Sequence, residues 1–339
     1  MTADSKRRKP GEGDWTSVVE VLIQAERVSL AAHINPDGDS LGSAIALGLA
    51  LRALGKDVCV SFGNDPSIVP TSLSFLPALE LVVSPADFPE RPEVLVVLDT
   101  ASRDRMGSLA NRIDTAKAVI IIDHHATNPG FGTYSLIDSE AEATAAITEE
   151  LLTRLGVDLT RDIATALYAG IASDTGSFKY PNTTSKTHRL AAKLLDAGVQ
   201  QDVVGRHLWD MASVGYLKLL SVVLADARLE ADAAGGLGII WTTVRRNDRD
   251  RFGVAMDATE GIIDIVRKAR EAEVTIVFRE DDKGLYQVSL RSNGRLDVGA
   301  VCTALNGGGH RLAAGFTAHA GQERALMRLR QLLEGFEKA

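Results

Sequence analysis

The stretch AVIIIDHHATN, residues 118–128, joins a run of four apolar, largely β-branched residues, 119–122, to Asp123-His124-His125. Such a run predicts a buried strand of a parallel sheet that ends where the ionisable residues begin. Ligands bind at the carboxyl edge of an open α/β sheet, and ionisable side chains are costly to bury there without partners. Taken alone, the stretch leaves two interpretations open: a functional site, or a turn capped by Asp123 with both histidines on the surface.

The chain up to about residue 200 alternates between strand and helix patterns. Besides 119–122, strands are predicted at 27–32, 57–62, 94–98 and, at an edge, 133–137. Helices are predicted at 15–25, about 40–54, 140–155, 160–171 and 186–197. Strands separated by helices favour an α/β fold with a mainly parallel sheet and flanking helices.

The pattern changes after Arg228. The runs GLGIIWTT (236–243), EVTIVFRE (273–280) and LYQVSLRS (285–292) predict strands, and Asp281 to Gly284 predicts a hairpin between the last two. Further helices are predicted near 260–270, from Asp297, and over 322–338. This half is therefore predicted to be a smaller α/β domain with a mixed sheet.

These patterns divide the chain into a disordered tail (1–14), a first domain (15–200), a helical linker (201–227) and a second domain (228–339). With 45% hydrophobic and 24% charged residues, the 339-residue chain can form the cores of two soluble domains. Cys59 and Cys302 lie far apart in apolar surroundings, which favours free thiols and the cytoplasm. The basic start, Lys6 to Lys9, is not followed by an apolar core, so we expect neither a signal peptide nor a membrane anchor.

The net charge of −8 argues against a protein that binds long nucleic acid, because that binding needs clustered Lys and Arg. Short anionic substrates stay open if metal ions supply positive charge. Nucleotide-binding fingerprints of the GxGxxG or GxxxxGKS type do not occur, so neither a Rossmann cofactor nor an ATP loop is expected.

Ionisable residues stand at or just after the carboxyl ends of the predicted strands. In the loop HINPDGDS (33–40), Pro36 and Gly38 favour a tight turn that would bring two acids into one small volume. The residues expected to meet at this edge are His33, Asp37, Asp39, Asp99, His124 and Asp174. The alternatives are that Asp39 or Ser40 caps the following helix and that Asp174 is an ordinary turn residue.

Several carboxylates packed together would force some to stay protonated unless cations balance them. Two divalent ions would balance four carboxylates. Mixed imidazole and carboxylate ligands favour Mn²⁺, with Fe²⁺, Co²⁺, Zn²⁺ and Mg²⁺ as alternatives. Such a pair would activate a bridging water and stabilise charge on a phosphoryl group.

The segment NGGGHRLAAG (306–315) has three successive glycines, which let backbone amides approach a ligand, followed by His310 as a donor. The alternative is a flexible hinge with a solvated histidine. Arg103 and Arg105, after Asp99, could reach a phosphate or could simply be solvated.

Together, HINPDGDS, VLVVLD, IIIDHH and ASDTG resemble the four motifs of the DHH phosphoesterase superfamily, and NGGGHRLAAG resembles the signature of its DHHA1 substrate-binding domain. The motifs occur in the family's order over nearly the whole chain after the tail. The length and the DHHA1 ending resemble the nano-RNase and pAp-phosphatase branch, which includes relatives that act on cyclic di-AMP and its linear product. The resemblance implies a DHH catalytic, metal-binding domain at 15–200, a DHHA1 domain at 228–339, and an active site in the cleft between them.

The resemblance also implies a role for each matching residue. One metal ion would be held by His33, Asp37 and Asp99, and the other by Asp39, Asp99, His124 and Asp174. Asp99 would bridge the ions, Asp123 would orient a ligand, and His125 would face the phosphate as a donor or acid. The residues that would hold the terminal phosphate and nucleotide are Arg291, Ser292, Gly307, Gly308, Gly309 and His310, with Arg105 as a further candidate. A homodimer is implied as well.

The expected activity is Mn²⁺-dependent hydrolysis of short oligoribonucleotides such as pApA to mononucleotides, of 3′-phosphoadenosine 5′-phosphate to AMP, and of cyclic di-AMP. A metal-bridging hydroxide would attack, assisted by His125. A family II inorganic pyrophosphatase shares the DHH half but not the GGGH segment, and an exonuclease resembling RecJ would normally carry further DNA-binding elements. The remaining alternative is a nucleotide sensor without turnover. Partners are therefore expected to be short nucleotides, not long nucleic acid or a membrane.

Overall fold

The computed structural model describes residues 8–335, with the backbone alone at His310. The chain divides into two compact units, Met1–Met211 and Ala212–Ala339. Among the described helices, no single one is long and apolar enough to cross a membrane. The segments Gln201–Asp210 and Val214–Ala225, which meet at a bend of 49°, reach that length and apolar composition only when they are taken together.

The first unit is built on a five-stranded sheet in the order β2-β1-β3-β4-β5, in which every neighbouring pair is parallel. This confirms the predicted parallel α/β fold. The strands are β1 (Arg27–Ala32), β2 (Asp57–Phe62), β3 (Val94–Leu98), β4 (Ala118–Asp123) and β5 (Tyr134–Ile137). The helices are α1 (Glu12–Gln24), α2 (Gly38–Ala53), α3 (Arg112–Thr115), α4 (Thr144–Arg154), α5 (Arg161–Asp174), α6 (Ser185–Asp196) and α7 (Gln201–Gly205), with 3₁₀ turns at Thr71–Leu73, Leu79–Leu81 and Arg103–Leu109 and a π turn at Arg206–Asp210.

Both faces of the central strand β4 are buried, which explains its continuous apolar sequence. Ile120 and Ile122 join the large core that includes α2, α4 and α5. Val119 and Ile121 point the other way into a smaller core with Leu95 of β3. The strand therefore ends at the first polar residue, Asp123, at the carboxyl edge of the sheet.

Helices α2 and α5 pack closely because glycines line their contact. A Cβ atom on Gly42 would lie 2.4 Å from the carbonyl oxygen of Ala166, and one on Gly38 would lie 2.8 Å from that of Ala169. Small residues at such a contact let two backbones approach. The close approach places Asp39, in the first turn of α2, near the end of α5 that carries Asp174.

The second unit contains a mixed sheet, as predicted. It has six strands in the order β10-β11-β9-β8-β7-β6. Its strands are β6 (Arg228–Glu230), β7 (Ile239–Val244), β8 (Val274–Glu280), β9 (Tyr286–Ser292), β10 (Gly308–His310) and β11 (Ala313–Ala318). Its helices are α8 (Val214–Ala225), α9 (Ala233–Gly236), α10 (Arg246–Phe252), α11 (Ile262–Val266), α12 (Val298–Thr303) and α13 (Gln322–Gly335), with a 3₁₀ turn at Asp257–Thr259. Only β7 and β8 pair in parallel among these strands.

Part of the predicted disordered tail, residues 8–14, is ordered in the structure. Residues 1–7 of that prediction lie outside the described residues. The backbone N–H of Arg8 donates to Oγ of Ser139, and α1 already begins at Glu12. The helix starts early because the carboxylate of Asp14 accepts the N–H of Gly11 at 2.8 Å and acids favour the first turn.

Two predicted helical segments of the second half are shorter than expected. The helix predicted at 260–270 is limited to α11, since the apolar pattern ends at Val266 and residues 267–271 are almost all charged. The 3₁₀ turn at Asp257–Thr259 comes before it. The residues of the predicted linker, 201–227, are split between the two units, because a new helix, α8, starts where the Ser213 hydroxyl accepts the N–H of Tyr216 at 3.0 Å. The short strand β6 was not predicted.

Candidate metal centre

The loop after β1 brings His33 and Asp37 together. Asp37 is the N-cap of α2, where its Oδ1 accepts the N–H groups of Asp39 at 3.0 Å and Ser40 at 2.9 Å. The helix is therefore capped by Asp37 and not by Asp39 or Ser40, which corrects the alternative considered above. The other carboxylate oxygen, Oδ2, lies 3.5 Å from Nε2 of His33.

His33 is oriented by the backbone carbonyl of the next residue, Ile34. Its Nδ1 lies 2.8 Å from the carbonyl oxygen of Ile34, which can accept a hydrogen bond from this nitrogen. Nε2 is 3.5 Å from Oδ2 of Asp99 as well as from Asp37. This is the arrangement of a metal-ligating histidine whose second nitrogen donates to a carbonyl.

Asp39 is fully buried and holds the start of another helix. Its Oδ2 accepts the N–H of Thr144 at 2.7 Å, and its Oδ1 accepts the N–H of Ala145 at 2.8 Å. The N-cap of α4 is Ala143, whose side chain cannot cap. Asp39 supplies the cap from α2, which fixes its carboxylate at the edge of the sheet.

Asp99 lies at the centre of the cluster. It follows β3 in the left-handed backbone conformation, with φ of 53°, and its N–H donates to the carbonyl of Ile122 at 2.9 Å. Its Oδ2 faces His33, whereas its Oδ1 lies 3.4 Å from Nε2 of His124. The two oxygens of one carboxylate thus face two different histidines.

Besides Asp99, which lies near both rings, His124 and His125 each contact a different acid. Nε2 of His124 is 3.0 Å from Oδ2 of Asp174, the last residue of α5. Nδ1 of His125 is 2.7 Å from Oδ1 of Asp123, which also accepts the backbone N–H of His125 at 3.2 Å. Asp123 therefore holds the His125 ring, while His124 lies against Asp174.

The histidine pKa values report the surrounding negative charge. Burial disfavours the charged imidazole, but Asp37 and Asp99 outweigh it and raise the pKa of His33 to about 10. Burial is likewise outweighed at His124, whose pKa is raised well above its ordinary value by Asp174 and Asp99.

The pKa values of the carboxylates in the cluster are shifted in different directions. Burial, together with the charges of Asp99 and Asp174, raises the pKa of Asp39 well above its ordinary value. Burial also raises the pKa of Asp174 to about 6, although His124 opposes this. At Asp99 burial is outweighed by the hydrogen bond from His33, and the pKa is lowered. Without cations, this cluster holds protons that divalent ions would displace.

The donor set fits two divalent ions. Two groups of possible ligand atoms each lie within 4.8 Å of one another: His33, Asp37 and Asp99 in one, and Asp39, His124 and Asp174 in the other. Asp99 contacts a histidine of each group. A third group combines Asp99 with His124 and His125. The structure thus brings together all six residues that the sequence analysis expects to bind metal.

Arg105 lies beside this cluster, and Arg103 does not contact it. The exposed Arg105 has Nη2 3.1 Å from Nδ1 of His33, and its carbonyl accepts the N–H of Ile34 at 2.8 Å. Arg103 instead pairs with Asp114 of α3. Of the two arginines, only Arg105 is placed where it could reach a phosphate at the cluster.

In the glycine-rich segment of the second unit, two of the three glycines occupy positions with no room for a side chain. A Cβ atom on Gly307 would lie 2.2 Å from the carbonyl oxygen of Gly315, and one on Gly309 would lie 2.5 Å from Cα of Ala314. Gly308 has open space at that position. Because Gly308 to His310 form β10 against β11, the segment is an edge strand and not a hinge.

Arg291 and Ser292, at the end of β9, differ in exposure. Arg291 is partly exposed, with Nε 3.8 Å from Oδ1 of Asp264. Ser292 is buried; its hydroxyl donates to Oε1 of Glu273 at 2.7 Å and accepts the N–H groups of Gly294 and Leu296. In this structure Ser292 shapes the turn that follows β9.

Two residues at the centre were not among the predicted site residues. The hydroxyl of Thr144 donates to Oδ1 of Asp99 at 3.0 Å. Nδ2 of Asn128 donates to Oδ2 of Asp123 at 2.5 Å and to the carbonyl of Thr100 at 3.0 Å. Asn128 stands in the same loop as the histidines and could have been considered there, whereas nothing in the sequence around Thr144 points to this contact.

Two family models match the chain: the N-terminal domain of the DHH family over residues 27–171, and the DHHA1 domain over residues 238–339. The chain belongs to the DHH family. The resemblance inferred from its motifs is thereby confirmed. This DHH chain is 34% identical to the bifunctional oligoribonuclease and PAP phosphatase NrnA of Thermus thermophilus. The matched stretch of 301 residues covers 88% of this chain and 87% of the relative.

A second relative is the probable bifunctional oligoribonuclease and PAP phosphatase NrnA of Streptococcus mutans, 30% identical over 307 residues, with 90% of the chain and 94% of the relative covered. Among solved structures, an exopolyphosphatase-related protein of Bacteroides fragilis has a TM-score of 0.88 at 23% identity and covers 96% of each chain. That structure shares the fold of this DHH-family chain.

Proposed function

We propose that this member of the DHH phosphoesterase family hydrolyses short oligoribonucleotides such as pApA to mononucleotides and 3′-phosphoadenosine 5′-phosphate to AMP, in a reaction that requires two divalent metal ions. Cyclic di-AMP is a further substrate in this proposal. The observation that carries it is the position of Asp99, whose two oxygens face His33 and His124 from one carboxylate. The names of the two NrnA relatives support the substrate class.

The residues proposed to hold one ion are His33, Asp37 and Asp99, and those proposed to hold the other are Asp39, Asp99, His124 and Asp174. Mn²⁺ suits this mixture of imidazole and carboxylate, with Mg²⁺, Co²⁺ and Fe²⁺ as alternatives. When bound, two such ions lower the pKa of a coordinated water and neutralise charge on the phosphoryl oxygens.

His125 is proposed to contact the scissile phosphate and to give a proton to the leaving oxygen from Nε2. Asp123 orients the ring through Nδ1 at 2.7 Å. Although burial opposes it, the hydrogen bond to Asp123 raises the pKa of His125, which favours the protonated form that a donor needs. Asn128 in turn holds Asp123.

Substrate recognition is proposed for residues of both units. Arg105 lies beside His33 and could pair with a non-reacting phosphate. The second unit is proposed to hold the nucleotide end through Arg291, the backbone of Gly307, Gly308 and Gly309, and His310. Ser292 would support these groups by shaping the turn. We also propose a homodimer, as the family resemblance implies, which light scattering of the purified protein would test.

The test is AMP release from pApA by the purified protein with Mn²⁺, with an EDTA control. Pyrophosphate and a long single-stranded DNA serve as the other substrates. Metal-dependent AMP release, with little activity on the other two, supports the proposal. A protein that binds two Mn²⁺ ions but releases no AMP would contradict it; hydrolysis of pyrophosphate or of long DNA would then identify an alternative activity, and binding of pApA without turnover would identify a sensor.

A further inference from the structure

Thr144 contacts two proposed ligands of the metal centre with two different groups. It is the first residue of α4 and is completely buried. Its backbone N–H donates to Oδ2 of Asp39 at 2.7 Å, and its hydroxyl donates to Oδ1 of Asp99 at 3.0 Å. One residue therefore joins a carboxylate from α2 to the carboxylate that follows β3.

The contact between the Thr144 hydroxyl and Asp99 restricts the orientation of the carboxylate that is proposed to bridge the two ions. A carboxylate that bridges two ions has to keep one oxygen on each side, so rotation about its Cβ–Cγ bond must be restricted. Oδ1 is the oxygen that faces His124, and it is also the one that accepts the Thr144 hydroxyl. A donor fixed at the start of a helix holds that oxygen in place.

The backbone contact fixes the donor itself. Since Ala143 offers no side-chain cap, the start of α4 is held by Asp39 through the N–H groups of Thr144 and Ala145. The position of the Thr144 hydroxyl relative to Asp99 is thus set by another residue of the same centre.

We propose that Thr144 is a positioning residue of the two-metal centre: its hydroxyl holds Asp99 in the bridging orientation. This inference rests on the proposed function only for the presence of two bound ions. Thr144 contacts neither substrate nor the reacting atoms in this proposal. Loss of its hydroxyl weakens the ion held by Asp39, Asp99, His124 and Asp174 more than the ion held by His33, Asp37 and Asp99.

Thr144→Val tests the hydroxyl separately from the backbone cap, because valine keeps the N–H and the β-branched shape. Thr144→Ser restores the hydroxyl. The matched control is Thr148→Val, one turn along the same helix, because the Thr148 hydroxyl is also buried but has no hydrogen-bond partner among the described residues. The measurements are Mn²⁺ stoichiometry and affinity by isothermal titration calorimetry, the electron paramagnetic resonance signal of coupled Mn²⁺ pairs, and the melting temperature without metal.

The expected result for Thr144→Val is about 10-fold to 100-fold weaker binding of one Mn²⁺ ion, with loss of the coupled-pair signal at limiting Mn²⁺. Thr144→Ser and Thr148→Val should bind both ions as the wild type does. At limiting Mn²⁺ the kcat for pApA should fall in Thr144→Val, and added Mn²⁺ should restore part of it, while KM for pApA changes little.

Wild-type affinity for both ions in Thr144→Val would overturn the proposal, and so would equal weakening by Thr148→Val, which would indicate a general packing effect. If Thr144→Val does not fold, Thr144→Ala gives the same test without added bulk. Calorimetry needs no substrate, so it tests this inference separately from the proposed function. A wild-type protein that binds two ions but hydrolyses no nucleotide would contradict the proposed function, and the titrations of the variants would still decide the role of Thr144.

Discussion

Gly170 of α5 lies so close to Asp39 of α2 that a Cβ atom on the glycine would be 2.7 Å from Oδ1 of the carboxylate. The same atom would be 2.7 Å from Cβ of Ala145 at the start of α4. Three helices therefore meet at this point without room for a methyl group. Gly170 contacts a proposed metal ligand although it carries no functional group.

We predict that Gly170→Ala lowers both stability and metal affinity. The added methyl group must displace the Asp39 carboxylate or separate α4 from α5, and such overpacking typically costs about 1–3 kcal/mol of unfolding free energy. Displaced Asp39 would lose its position relative to His124 and Asp174. Urea unfolding without metal and Mn²⁺ titration would measure the two effects.

The control is Gly13→Ala in α1, where a Cβ atom would have no neighbour within 4 Å. Alanine is the better helix former, so this variant should be as stable as the wild type or slightly more so. If Gly170→Ala kept wild-type Mn²⁺ affinity, the carboxylate would tolerate displacement and the close contact would have no bearing on the centre.

Asp99→Asn should abolish turnover of pApA while the fold survives. An amide has one oxygen to offer and cannot bridge two ions as a carboxylate does. The fold should survive because the amide has the shape of the carboxylate, keeps an oxygen that can accept the Thr144 hydroxyl, and tolerates the left-handed backbone conformation at this position. Without metal, the melting temperature of the variant should not exceed that of the wild type, because His33 and His124 outweigh burial and stabilise the ionised form of Asp99. Mn²⁺ should raise the melting temperature less than in the wild type. An active Asp99→Asn protein would contradict the two-metal model.

Much of the first unit could be predicted from local pattern. Strands β1, β2 and β3 begin and end at the predicted residues, because each apolar run is bounded by polar or turn residues. The meeting of His33, Asp99 and His124 followed from a general property of parallel sheets, whose strands have their carboxyl ends at one edge. The order of the strands, with β1 between β2 and β3, was not predicted, because local patterns do not encode pairing.

The supporting contacts could not be predicted for a related reason. Thr144 and Asp99 are 45 positions apart, and Asp39 and Thr144 are 105 apart, so no motif links them. The glycines of 307–309 were interpreted through their flexibility, whereas two of them are required by the close approach of β11. Sequence patterns indicated which ionisable residues meet at the edge of the sheet, and tertiary packing determines which residues hold them there.

Glu230 of β6 provides a test of pH dependence away from the metal centre. It accepts hydrogen bonds from Nε of Arg330 at 2.8 Å and from Nε1 of Trp241 at 2.6 Å. Arg330 lowers the pKa of this carboxyl below its ordinary value of 4.5, although burial opposes the shift. A lowered folded pKa means that the contribution to stability is present above the unfolded pKa and is lost as pH falls through the folded one.

Glu230→Gln should therefore be less stable than the wild type at pH 7, by up to about 1 kcal/mol because the pair is partly exposed, and the difference should shrink as the pH falls from 7 to 3. Urea unfolding followed by tryptophan fluorescence at both pH values measures this. Glu80→Gln is the control, since Glu80 pairs with Arg52 at the surface with 67% of its side chain exposed, and no difference is expected there. A deficit of Glu230→Gln that stays constant down to pH 3 would show that ionisation is not its cause.

The side chain of Asn128 is fixed by three hydrogen bonds. Its Nδ2 donates to Oδ2 of Asp123 and to the carbonyl of Thr100, and its Oδ1 accepts the N–H of Gly130 at 2.8 Å. Asp123 uses its other oxygen for His125. The position of the proposed proton donor thus depends on a buried amide two contacts away.

Asn128→Asp keeps the size of the side chain but replaces the donor facing Asp123 with a second carboxylate. Repulsion should move Asp123 and loosen the His125 ring, so kcat for pApA should fall by about 10-fold to 100-fold. Mn²⁺ affinity should change little, because neither Asn128 nor Asp123 is a proposed metal ligand. Asn111→Asp, at an exposed position, controls for the added charge. An unchanged kcat in Asn128→Asp would show that the orientation of His125 by Asp123 does not limit the reaction. A loss of Mn²⁺ binding would show that the loop supports the metal ligands instead of the proton donor.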